Sequence, residues 1–141
     1  MDARDLELRN ATYARFVELG RTPRAGELGD EAAVLDGWRR LHDAHALVLD
    51  ADGARIRMAN PFSAVPTPHR VRANGRWWYA NCAWDAFGIL AALGADGGIE
   101  SSCPDCAEVI WIEVERGRPQ QDVHAHFLVP ARSWWDDIVF T

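Results

Sequence analysis

Residues 70–94 constrain the fold of this chain more than any other stretch. Residues 70–80 read as two strands joined at Asn74-Gly75, a dipeptide suited to the tightest hairpin turns because both positions tolerate a positive φ. An apolar helical stretch, Phe87 to Leu93, follows and stops at Gly94. Between strand and helix lies Asn81-Cys82-Ala83-Trp84-Asp85-Ala86. Cys82 and Asp85 are three residues apart, so a helix starting here sets both on one face. A thiol in the first turn feels the positive end of the peptide dipoles, which predicts a lowered pKa and a thiolate. A soft nucleophile beside a proton carrier suits a lyase or a soft-metal site. The plain alternative is a small buried cysteine with a capping aspartate.

The chain has 141 residues, enough for one domain or two very small ones sharing a core, and its seven tryptophans supply ample core material. A net charge of −6 argues against a nucleic-acid partner, since phosphate contacts need a basic surface. No apolar run approaches the roughly 20 residues of a membrane span. The start, Met1-Asp2-Ala3-Arg4-Asp5, lacks the apolar core of a signal peptide. A cytoplasmic location with no membrane partner is therefore expected. There, three cysteines read as thiols, redox groups or metal ligands, not as a disulfide framework.

Apolar residues at helical spacing predict a helix over residues 5–19, ended by Gly20. Thr22-Pro23 opens a short helix to Leu28. Asp30 caps a third, with Val34, Leu35, Trp38 and Leu41 on one face. Leu47-Val48-Leu49, the turn Asp50-Ala51-Asp52-Gly53 and Ile56-Arg57-Met58 predict a hairpin. Three short helices and a hairpin make a winged-helix outline. DNA binding is disfavoured there, because residues 1–60 hold nine arginines against eleven acidic residues. The expected architecture is α+β: a winged-helix-like module over 1–60, packed on a core over 61–141 with a mixed β-sheet and one central active-site helix.

Residues 60–69 are proline-rich and read as a linker, or as a lid across the second half, with Phe62 and Val65 to bury. Ile99 to Ser102 and Val109 to Val114 read as strands, the second apolar enough to be interior. Arg116-Gly117-Arg118-Pro119 reads as a turn. Val123 to Val129 reads as a further strand, and Ser133 as the cap of a last short helix with Trp134 and Trp135. On the strand at 123–129, Asp122, His124 and His126 share one face by alternation. That face is either an outward polar edge or a site that brings Asp122 next to the Cys82 helix. Cys103-Pro104-Asp105-Cys106 has the spacing of a metal knuckle or a redox pair. It is only half of a zinc site, which His124 and His126 would complete. The alternatives are a dithiol switch, or a turn with one cysteine simply buried.

Residues 70–130 resemble the organomercurial (alkylmercury) lyase family, and the first half agrees with that family's N-terminal region. Tyr79, Cys82 and Asp85 match its strand-aromatic-Cys-x-x-Asp motif, Ser101-Ser102-Cys103 a segment with a structural cysteine, and His124, His126 and Phe127 the strand carrying its second active-site cysteine. The resemblance implies that Cys82 captures the metal of an organomercurial as a thiolate and that Asp85 carries the thiol proton to the leaving carbon. No cofactor is required, and external thiols take the mercuric product. Tyr79, Trp84 and Phe62 are the expected contacts to a small-molecule substrate. The second catalytic cysteine falls on Asp122, which marks a divergent member; a carboxylate is a hard ligand and does not replace a thiolate on mercury. Either Cys103 or Cys106 supplies the missing sulfur, or Cys82, Asp85 and Asp122 serve a different lyase or cyclase reaction. A third possibility is a non-enzymatic metal-binding or sensor protein using Cys103, Cys106, His124 and His126; with Cys82 these are the candidate metal ligands, for mercury or zinc.

Overall fold

The computed structural model describes residues 1–140. Helix α1 (Ala3–Leu19) is capped by Asp2, whose carboxylate accepts from the Asp5 amide at 2.8 Å, and ends at Gly20 in the left-handed conformation. Helix α2 (Glu31–Asp43) is capped by Asp30 and buries Val34, Trp38 and Leu41; Leu35 is only partly covered. The two helices are tied by the Trp38 indole, which donates to the Thr12 hydroxyl at 3.0 Å, and by an Arg40–Asp5 ion pair. The short helix expected to follow Pro23 is a single 3-10 turn, Ala25–Glu27. Gly26 lies within it and Gly29 follows it, and so short a segment cannot sustain an α-helical nucleus.

The hairpin of β1 (Val48–Leu49) and β2 (Ile56–Ala59) forms as expected. The proline-rich segment is neither linker nor lid. Its Phe62–Ser63 is strand β3, paired with β2 on one side and with β5 (Arg76–Ala80) on the other. The sheet therefore runs unbroken past residue 60. Phe62 is 1% exposed, 5.2 Å from the Phe16 ring and 6.3 Å from Trp78.

Strand β4 (Arg70–Ala73) pairs with β5 through Asn74 and Gly75, both at positive φ. Strand β6 (Gly97–Ser102) lies beside β4, followed by β7 (Val109–Glu115) and β8 (Arg118–Pro119). The order is β1-β2-β3-β5-β4-β6-β7-β8, and every pair is antiparallel, not mixed. Helix α3 (Ala83–Leu93) carries the chain from β5 across β4, so β6 follows the direction of β5 with β4 between them. All other connections are short, which favours antiparallel neighbours. The helix lies close on the sheet because β6 has Gly97 there; a Cβ would meet the Arg72 carbonyl and Leu90.

The far edge differs from expectation. Strand β7 is not interior: Val109, Ile110 and Trp111 are exposed, and only Ile112 and Val114 are buried. Residues 123–129 form no strand. Pro119 ends β8, and the Gln121 side chain accepts the Glu113 amide at 3.1 Å, taking a donor that a longer strand would use. The last helix is a 3-10 turn, Ala131–Asp136, that starts after Pro130 with no side-chain cap from Ser133. Among the described residues, no helix is long and apolar enough to cross a membrane.

Candidate active site

Cys82 is the N-cap of α3, with extended backbone (φ −146°), and its carbonyl accepts the Ala86 amide at 3.1 Å. One face of α3 (Ala86, Ile89, Leu90) is buried on the sheet, and Gly94, left-handed, ends the helix as expected. Gly88 faces Pro61, where a Cβ would sit 3.2 Å from the proline Cβ. Helix α3 is thus packed on both sides, and Cys82 and Asp85 are both half-buried at its start.

Asn81 organises the carboxylate. Its Nδ2 donates to Asp85 Oδ2 at 3.1 Å, to Asn60 Oδ1 at 2.9 Å and to the Phe62 carbonyl at 3.3 Å. Tyr13 of α1 reaches in from the first half, donating to the Asn60 carbonyl at 3.0 Å and the Ala46 carbonyl at 3.3 Å. Burial raises the phenol's pKa, and the nearby Asp85 charge adds to this. Burial also pushes the Asp85 carboxyl up, against the Asn81 hydrogen bond. The expected resting thiolate is corrected in the same way. Burial raises the Cys82 thiol and the Asp85 charge raises it further, while the Asp85 and Trp84 amides pull it down. Desolvation outweighs the helix end here, which favours the protonated thiol in the free protein.

Asn60, Asn81 and Tyr13 are the site residues that sequence reasoning passed over. The signals were an Asn directly before Cys82 and another directly before a proline, but neither names its partner.

A cavity of about 580 Å³ opens beside α3, on the side of Ala83, Trp84 and Phe87. Ile99, Ile110, Ile112 and Val123 make most of its wall apolar, with His124 and Ser101 as its polar members. Neither Cys82 nor Asp85 is among its lining residues. The Ser101 hydroxyl is 2.8 Å from His69 Nδ1, and burial lowers the pKa of that imidazole, favouring its neutral form.

Of the expected substrate contacts, only Trp84 lines this cavity; it is 62% exposed and also borders a second cleft with Phe127 and Trp134. Phe62 is sealed in the core. Tyr79 alternates onto the face of β5 shared with Trp77, away from Trp78, Ala80 and α3. Without a strand at 123–129, the shared face of Asp122, His124 and His126 does not form: His124 borders the cavity, while Asp122 and His126 are exposed. Cys103 is half-buried and Cys106 exposed, both as free thiols. Among the described residues, no group of three or more His, Cys, Asp or Glu side chains could hold a metal ion. Cys82, Cys103, Cys106, His124 and His126 therefore do not assemble into the expected metal set.

The solved mercury-bound form of MerB2 superposes with a TM-score of 0.61 over 82% of this chain and 59% of that one, at 24% identity, which establishes a shared fold. Alkylmercury lyases of Bacillus cereus and Clostridium butyricum are each 31% identical over 75 residues, 53% of this chain. The match covers about a third of the length of these relatives (34%). The alkylmercury lyase family model matches residues 62–141, more than half of the chain and the part that holds α3 and the far edge of the sheet. On that match, the chain belongs to the alkylmercury lyase family.

Proposed function

We propose that this protein cleaves carbon–mercury bonds by thiol capture and protonolysis at Cys82 and Asp85. The observation that carries the reading is the first turn of α3: a thiol at the N-cap and a carboxyl three residues on, both half-buried and both raised by burial. Mercury prefers sulfur strongly enough to displace the thiol proton. Asp85 accepts that proton as the Cys82–mercury bond forms. Asp85, whose carboxyl burial pushes up, then holds the proton to be delivered, with Asn81 steering the carboxyl. Transfer of the proton to the mercury-bound carbon breaks the C–Hg bond. The carbon keeps the bonding electron pair and leaves as a hydrocarbon, and mercuric ion stays on the Cys82 sulfur. A small external thiol supplies the second sulfur, since among the described residues no group of three or more His, Cys, Asp or Glu side chains gathers to hold the ion.

The direct test is incubation of the protein with phenylmercury and excess thiol, reading benzene in the headspace. Wild-type protein is expected to release benzene, and Cys82→Ser and Asp85→Ala to release none. Wild-type protein that leaves phenylmercury intact overturns the reading.

A further inference from the structure

We propose that the Cys103-Pro104-Asp105-Cys106 turn is a two-sulfur chelate for thiophilic ions, separate from Cys82, which takes mercuric ion from small thiols. The turn closes the β6–β7 hairpin. The Cys103 amide donates to the Glu108 carbonyl at 2.9 Å, the Ala107 amide donates to the Cys103 carbonyl at 2.9 Å, and Ala107 turns the chain at φ 59°. Both cysteines are thereby held on one closed turn, and Cys106 is exposed to incoming ligands.

The donor set decides which ion fits. A structural zinc ion takes four ligands, and no third His, Cys, Asp or Glu joins this pair among the described residues. Mercuric ion is content with two thiolates. Exchange is balanced without any redox step: a mercuric bis-thiolate gives up two small thiols, each leaving with one proton from Cys103 or Cys106, and two protein S–Hg bonds replace the two broken.

The position suits an exit ligand. Ser101 lines the cavity beside α3, and Cys103 lies two residues further along the same chain. That use rests on the reading of Cys82 given above; the chelation itself does not.

The test uses reduced Cys82→Ser protein, one equivalent of mercuric chloride and excess glutathione, with bound mercury read by native mass spectrometry. The full chain is expected to keep one mercury. Adding Cys106→Ser, at an exposed position, is expected to weaken retention at least tenfold while leaving the far-UV circular dichroism unchanged. Equal retention by the two proteins, loss from both, or mercury bridging two chains would each overturn the proposal. Because Cys82 and organomercurials are both absent, the result is independent of whether carbon–mercury cleavage occurs.

Discussion

Replacing Phe62 with alanine separates a core role from a substrate role. The ring is 1% exposed and packs on Phe16 and Trp78, on a strand that joins β2 to β5. Removing a buried phenylalanine costs about 3–5 kcal/mol through lost transfer energy and the cavity left behind. With an m-value of about 2 kcal/mol/M for urea, the midpoint should fall by about 2 M. That is a large share of the roughly 5–15 kcal/mol that holds a domain together. Phe62→Leu keeps most of the volume and should lose roughly half as much or less. The assay is urea unfolding followed in parallel by tryptophan fluorescence and far-UV circular dichroism. Both signals should shift together, because Phe62 packs on Phe16 of α1 and Trp78 of β5 in one continuous core. A loss below about 1 kcal/mol, or fluorescence and dichroism transitions that separate, would refute the reasoning.

Two further outcomes follow from the site and the first half. Asp85→Asn removes the negative charge that raises the Cys82 thiol, so alkylation of Cys82 by iodoacetamide at neutral pH should speed up; an unchanged or slower rate would contradict the assigned neighbourhood. Glu27 is held down at about 2 by its Arg21 hydrogen bonds and the Arg24 amide. A carboxyl lower in the folded state stabilises above its unfolded pKa, and that contribution disappears as pH falls towards about 2. Glu27→Gln should therefore flatten the acid limb of the stability–pH curve between about pH 4.5 and 2 and leave its shape near pH 7 alone, as read by thermal melts; an acid limb as steep as that of the wild type would count against the pairing.

Local rules made much of this chain legible. Asp30 and Gly20 act within one turn of their own helices, and Asn74-Gly75 needs only its own dihedrals, so each could be placed from neighbours in sequence. The adjacency of Cys82 and Asp85 is equally local, since a helix start three residues long sets it. Strand alternation was trustworthy where a ladder exists and failed at 123–129, because whether those residues pair is decided by Gln121 and Pro119 at the edge of β7.

Three matters belonged to tertiary structure alone. Phe62 and Ser63 are too few to announce a strand, and become one only because β2 and β5 leave a gap of that width. The protonation state of Cys82 depends on how much water the surrounding fold removes, and burial overrode the helix end that sequence could see. The contacts of Asn81 and Tyr13 with Asn60 span 21 and 47 residues, and no periodicity reaches so far. Hydrogen bonds within a turn are written in adjacent residues; desolvation and long-range contacts exist only once the chain has closed on itself.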